Sequence, residues 1–348
     1  MKKMKEDFLY GKSFEELQKI CHMLDVPSYT ATQLCSWLYR RHADSVEEMT
    51  NLSLKTREKL KERYTIGRTP PLQVQVSTDG TKKYLFAAME KHFIEVAYIP
   101  DRDRATLCMS TQAGCRMGCK FCMTGKQGFQ GNLSVTGILN QLGSLPERNQ
   151  ITNLVYMGMG EPLDNLDNTL KSLNILTSPW GFGWSPKRIT VSTVGLLPAL
   201  QELLTKSRCH IAISLHSPFD EERQQIMPVQ IKHPLGEILE VLKKHPFGHQ
   251  RRLSFEYILF KDFNDSDRHL KALIRMFSGM RCRINLIRFH AFPGTHFEGA
   301  AEQRFIYFRD TLNAKGIIAT IRASRGRDID AACGMLSTKK YYSVPLSF

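Results

Sequence analysis

The sequence predicts an α/β protein: a parallel sheet covered by helices, closed or partly closed as a barrel, with a small helical domain in front of it. Three observations carry this. From about residue 104, six short apolar or β-branched runs alternate with longer amphipathic ones. Those short runs are apolar almost end to end, which suits strands buried on both faces. Upstream of residue 70 the apolar positions recur at helical spacing instead.

In chain order, Ser13 and Glu16 have the form of a capping box opening the helix FEELQKICHMLDV. Two further amphipathic stretches follow, TATQLCSWLYRRH and LKTREKLKERY. Their basic residues Arg40, Arg41, Lys55, Arg57, Lys59, Lys61 and Arg63 make either a basic face or an ordinary solvated surface. Arg68-Thr-Pro-Pro marks a linker. Residues 72–100 alternate as strands do (LQVQV, KKYLFAAM, FIEVAYI) and predict a small sheet with a turn at Asp79-Gly80. Barrel strands are expected at ATLCMST (105–111), NLVYMGM (153–159), RITVSTV (188–194), HIAISLH (210–216), LSFEYILF (253–260) and RINLIRF (283–289). Between them lie LSVTGILNQLGSL, LDNTLKSLNILT, LLPALQELLT, PLGEILEVLKKH and DRHLKALIRMF, each with a helical apolar stripe. A last helix, EQRFIYFRDTLNAKG, and a strand, IIATIRA, close the regular part. The chain thus divides into a helical domain at 1–70, a linker and small β extension at 71–103, a barrel at 104–324 and a C-terminal loop at 325–348.

Composition narrows the function classes. Lys and Arg number 48 against 34 Asp and Glu, a net charge of +14, which favours a polyanionic partner such as RNA, DNA or an acidic membrane. No apolar run approaches the roughly 18 residues of a membrane span. The leading MKKMKEDFLYGK runs into no apolar stretch, so no secretory signal is expected. Nine cysteines, odd in number and mostly scattered, do not form a disulfide framework. The expected compartment is the cytoplasm, where clustered thiols are metal ligands or catalysts.

Such a cluster exists. Cys115, Cys119 and Cys122 fall within eight residues, just after the first barrel strand. Three thiolates on a tight loop can each take one iron of a cubane, leaving the fourth iron open to a substrate atom. In radical S-adenosylmethionine (SAM) enzymes that open iron chelates the methionine part of SAM, and an electron from the cluster cleaves the sulfonium to a 5′-deoxyadenosyl radical. A structural zinc site or a ferredoxin would want a fourth ligand, and none follows in the next 80 residues.

Chemistry in a parallel barrel sits at the C-terminal strand ends. Here those ends carry Gly160 and Glu161, Ser192 and Thr193, Ser214 and His216, and His290. Glycines let a ligand approach the backbone, and the Glu161 carboxylate could neutralise an ammonium. Each polar group alone reads equally as a satisfied structural residue; together, beside a cluster loop, they outline a site. Cys108 lies in the first strand. Cys333, in the polar Asp328-Ile-Asp330-Ala-Ala-Cys333-Gly segment, is poor core filler and could return over the barrel mouth as a nucleophile. Cys21, Cys35, Cys209 and Cys282 sit in apolar patterns and read as small buried hydrophobes.

Six segments in order, ATLCMSTQAGCRMGCKFCMTGKQGF, MGMGEPLDN, ITVSTVG, AISLHSP, INLIR and RGRDIDAACG, resemble the RlmN/Cfr family of radical SAM RNA adenine methyltransferases, most nearly its RlmN branch. The resemblance spans essentially the whole chain. It implies a partial, TIM-like (β/α)6 barrel with a helical N-terminal RNA-binding domain, a 4Fe–4S cluster on Cys115, Cys119 and Cys122, and two SAM molecules per turnover. It implies that Cys333 is methylated by the first SAM. The second SAM generates a radical on that methyl group, which adds to the adenine, and a disulfide between Cys333 and Cys108 releases the product. Glu95 matches the proposed proton acceptor; Gly160, Glu161, Ser192, Ser214, Leu215, His216 and His290 match SAM-contacting positions. His290 stands where the family commonly has Asn, and Met335 where Gln is usual. The implied substrates are adenosine 2503 of 23S rRNA and adenosine 37 of tRNA, methylated at carbon 2. The implied electron donor is a flavodoxin with its reductase, and the chain is expected to act as a monomer. Two other readings compete: Cfr-type methylation at carbon 8, and an RNA-binding protein with a structural metal site.

Overall fold

A computed structural model describes residues 7–89, 91–248 and 251–338. Residues 1–6 of the predicted helical domain and 339–348 of the predicted C-terminal loop therefore lie outside the described residues.

The three N-terminal helices form where their periodicity places them, at Phe14–Met23, Thr30–Tyr39 and Leu54–Lys61. The first is capped as expected: Glu16 N–H donates to Ser13 Oγ, and Ser13 N–H donates to the Glu16 carboxylate at 2.6 Å. Short parallel strands Asp7–Phe8 and Tyr64–Thr65, too brief to leave a sequence pattern, tie the two ends of this region together.

Ten strands then build one sheet. In chain order they are β1 (Gln73–Val76), β2 (Lys82–Met89), β3 (His92–Asp101), β4 (Arg104–Cys108), β5 (Asn153–Tyr156), β6 (Ile189–Thr193), β7 (His210–Ser214), β8 (Leu253–Leu259), β9 (Arg283–Arg288) and β10 (Ile318–Ile321). Their order across the sheet is their order in sequence. Strands β4 to β10 are all parallel, joined by helices, and form the partial barrel. Every residue of β8 is buried, which accounts for a run that is apolar except at Ser254 and Glu256. The 72–100 region is no separate small sheet: β1, β2 and β3 run antiparallel and continue the barrel sheet through the β3–β4 pairing. Hydrogen bonding of β3 to β4, from Ala97↔Cys108 to Asp101↔Arg104, makes the extension part of the wall beside the site.

The N-terminal helices share a continuous apolar core with the barrel. Arg68 fastens the junction, donating to the carbonyls of Gly143 and His42 at 2.6 Å each and pairing with Asp44. Much of the suspected basic face is committed elsewhere. Arg40 donates to Pro179 and Gly181 carbonyls, Lys59 to Leu24, Arg57 to Glu47, and Lys61 pairs with Glu47. Among the described residues no helix is long and apolar enough to cross a membrane.

Candidate active site

The loop after β4 carries the three clustered thiols. Its base is closed by a short antiparallel pairing of Gln112–Gly114 with Phe129–Asn132 that no sequence pattern announced. Cys115 N–H donates to Gly128 O, and Cys122 sits at the start of a one-turn helix, Met123–Gln127. The next parallel strand runs into Met157-Gly-Met-Gly-Glu161. At Gly158 a Cβ would stand 2.6 Å from Ser110 Oγ, and at Gly160, with φ +98°, 2.5 Å from Gln112 Cβ. Only glycine lets this turn pack so closely on the strand bearing the cluster loop.

A cavity of about 340 Å³ opens at the C-terminal ends of the parallel strands. Cys108, Cys115, Cys119, Cys122 and Cys333 all line it, with Gly160, Glu161, Ser192, Ser214, His216 and His290. Five of the nine cysteines, from segments up to 225 residues apart, therefore face one space. Leu215 and Glu95 do not line it. Leu215 is fully buried and contributes backbone bonds; Glu95 lies behind the tail, ion-paired to Lys83.

The tail does fold back over the barrel. Asp328 accepts from Ser77 Oγ at 2.6 Å, Gly334 O accepts from Met123 N–H at 2.8 Å, and Leu336 O accepts from Thr124 Oγ1 at 2.7 Å. Cys333 is thereby held over the cluster loop, its thiol open to the cavity.

Electrostatics differ around the wall. Burial pushes the Cys108 thiol up to about 12, and a negative charge on Cys333 would add to this. Cys333 is raised by the protein surrounding its cavity, while the Arg322 guanidinium opposes the rise at both thiols. Arg322 itself is held by Glu256 at 3.4 Å and reaches the Met157 sulfur at 3.2 Å. Neither Arg322 nor Glu256 was singled out from sequence. The signal was present: Glu256 is an acid in the middle of an otherwise apolar strand.

Glu161 is buried and tightly bound. Thr193 Oγ1 donates to it at 2.6 Å, Leu163 N–H at 2.9 Å and Val194 N–H at 3.0 Å. Burial still dominates and raises its carboxyl to about 7. His216, with φ +56°, accepts from Ile258 N–H through Nδ1, so its proton lies on Nε2. Its ring meets Phe121 edge-on at 4.6 Å, and burial lowers its pKa to about 3. His290 Nε2 shares a 2.9 Å hydrogen bond with Ser324.

The thiol set fits a cubane. Burial raises Cys115 to about 12 and Cys119 well above the usual thiol range, so they stay protonated unless a cation lies between them. Among the described residues no three Cys, His, Asp or Glu groups gather closely enough to chelate a single ion. A cubane takes one thiolate per iron and needs a wider spacing.

Comparison with known proteins agrees with this geometry. Residues 109–274 match the radical SAM superfamily, and residues 9–66 match the ribosomal RNA large subunit methyltransferase N-terminal domain. The chain is 54% identical over 332 residues to the "Probable dual-specificity RNA methyltransferase RlmN" of Bacteroides fragilis, covering 95% of this chain and 96% of that one. The chain belongs to the RlmN family. Another RlmN relative, the dual-specificity RNA methyltransferase of Syntrophus aciditrophicus, is 44% identical over 94% of this chain and 95% of its own. The fold matches a crystal structure of a radical SAM methyltransferase from Sphaerobacter thermophilus with a TM-score of 0.88 at 36% identity, over 94% of this chain and 98% of that one. RlmN membership implies a radical SAM RNA methyltransferase with a 4Fe–4S cluster and SAM.

Proposed function

We propose that the protein methylates carbon 2 of adenosine 2503 in 23S rRNA and of adenosine 37 in tRNA through a methyl group carried on Cys333. The observation that carries this reading is the single cavity shared by Cys333, Cys108 and the three loop cysteines. In it, Cys115, Cys119 and Cys122 hold the cluster. Gly160, Glu161, Ser192, Ser214, His216 and His290 form the SAM-binding rim, and Leu215, buried behind it, holds the strand end through its backbone bonds. When bound, the cluster and SAM would supply the methyl group and the one-electron chemistry that activates it, and would take back the odd electron once the ring has lost its proton.

The chain's own residues do the rest. Carbon 2 of adenine is electron-poor and does not attack a sulfonium methyl as a nucleophile would, so a protein-bound carbon unit is needed. Cys333, open to the cavity, accepts the methyl group and presents it to the ring. Family likeness assigns the proton that leaves the ring carbon to Glu95; that carboxylate lies outside the cavity, paired to Lys83, so the proton reaches it by relay rather than by direct contact. Cys108 then attacks the Cys333 sulfur: the S–S bond forms as the sulfur–carbon bond breaks, and the released carbon takes a proton to become the product methyl. Arg322, beside both thiols, favours the thiolates this exchange requires. Reduction of the disulfide restores the starting state, and a flavodoxin-type donor with its reductase would supply the single electron that the cluster chemistry needs. The N-terminal helices and the cavity rim bind RNA, with the target adenine swung out of its stack.

The test is Cys333→Ala with RNA and SAM under anaerobic conditions. No methyl transfer is expected; full transfer refutes the carrier role. Nucleoside digestion of wild-type product separates 2-methyladenosine from the 8-methyladenosine that would overturn the assignment of carbon.

A further inference from the structure

Among the described residues Arg223 is the bulkiest of the fully buried side chains. It lies on the helix Asp220–Ile226 that follows β7, and its hydrogen bonds end on neutral acceptors. Nε donates to Leu215 O at 3.2 Å, Nη2 to Val194 O at 3.0 Å and Ser214 O at 3.1 Å, and Nη1 to the Gln230 amide oxygen. Among the described residues no carboxylate forms an ion pair with it. Asp220, on the same helix, is exposed and one amide removed, accepting from Gln230 Nε2 at 2.7 Å. A buried cation without a paired anion is strongly unfavourable, so a negative charge from elsewhere must offset it.

The surroundings say where that charge comes from. The helix end is fixed to the cluster loop, with Lys120 N–H donating to Ile226 O at 3.0 Å. Ile226 and Met227 pack in one apolar cluster with Cys119 and Phe121. Val194 and Ser214, whose carbonyls Arg223 grips, line the cavity. Burial lowers the Arg223 pKa to about 10, and the strongest influence opposing this is Cys119. A cubane on three thiolates is net negative, and more so after taking an electron.

We propose that Arg223 is the internal counter-charge of the cluster: a positioning residue that holds the ends of β6 and β7 by their carbonyls and raises the cluster's reduction potential from behind Cys119. This rests on the reading of Cys115, Cys119 and Cys122 as cluster ligands. One electron enters the cluster from an external low-potential donor, no bond changes, and the fixed cation favours the reduced form.

The experiment is a potentiometric titration of anaerobically reconstituted full-length protein, with dithionite and mediators, followed by the EPR signal of the reduced cluster. Arg223→Met is expected to hold about tenfold less reduced relative to oxidised cluster than wild type at the same potential, about 59 mV in midpoint. Arg223→Lys, which keeps the charge, should recover most of the difference; a purely structural role would lower thermal stability and leave the midpoint where it was. Should the Met variant not fold, Gln230→Glu sets a carboxylate against the same guanidinium and should move the midpoint the same way. Equal midpoints in wild type and in either neutralising variant, with the cluster bound, overturn the proposal alone. A wild-type protein that takes up no cluster overturns the ligand reading with it.

Discussion

Lys83 and Glu95 form an ion pair of 3.1 Å with 1% of either side chain exposed. The pair also holds the segment that presents Cys333: Lys83 Nζ reaches Asp330 O at 3.4 Å, and Glu95 Oε2 accepts from Ser337 N–H at 2.9 Å. Neighbouring strands of the β extension thus grip the tail on either side of its cysteine.

Removing one partner leaves a buried charge uncompensated. Glu95→Gln is therefore expected to cost about 3–5 kcal/mol in urea unfolding. Replacing both, as Lys83→Met with Glu95→Leu, should cost less than the single change. Alkylation of Cys333 should quicken in Glu95→Gln as the tail loosens. A single variant as stable as wild type would show that the pair does not anchor the tail.

Arg322 sets the second expectation. It opposes the raised pKa of both Cys108 and Cys333 while Glu256 holds it in place. Arg322→Met should move the pH midpoint of Cys333 alkylation upward and slow alkylation at a fixed pH below the midpoint. Mass spectrometry of the alkylated peptide reads this directly, and an unchanged profile would remove Arg322 from the thiol chemistry.

These contacts mark the boundary of what the sequence could reveal. The strands, the helices, the Ser13 cap and the cysteine triplet are written in local periodicity and spacing, and the structure has them where that pattern put them. Lys83–Asp330, Arg322–Glu256 and Arg223–Val194 join residues dozens to hundreds of positions apart, and no local period encodes them. That the β extension continues the barrel sheet was hidden for the same reason, because its strand pattern is silent on which edge it joins. Glu95 was reached through family likeness alone; its burial behind the tail is a tertiary fact.

Glu161 gives a stability prediction with a definite sign. Its carboxyl is raised from an ordinary 4.5 to about 7, chiefly by burial. Between those values the folded protein binds the proton more tightly than the unfolded chain, so stability is greatest below 4.5 and falls as pH rises to 7. The contribution is on the order of 3 kcal/mol. For the protein prepared without cluster or SAM, the urea stability of wild type minus that of Glu161→Gln should decline over this window. A flat difference would mean that the three donors outweigh burial and keep the group ionised.

His216 behaves oppositely, because its neutral form is the one the fold requires. Nδ1 is occupied as an acceptor from Ile258 N–H at 3.1 Å, which leaves Nε2–H as the donor on a ring that lines the cavity. Protonation would turn the accepting nitrogen into a second donor facing an N–H, and burial with Arg223 nearby lowers the pKa to about 3. The folded pKa is depressed for a base, so its stabilising effect is present above the ordinary value of 6.5 and is lost as pH falls toward 3. The imidazole ¹⁵N shifts of His216 should accordingly report a fixed Nε2–H tautomer from pH 8 to about 5, and the ring should contribute no ionisation to the pH–rate profile in that range. A His216 titration near 6.5 would show that the Ile258 bond does not hold the ring, and the residue would then be free for proton transfer rather than confined to hydrogen bonding.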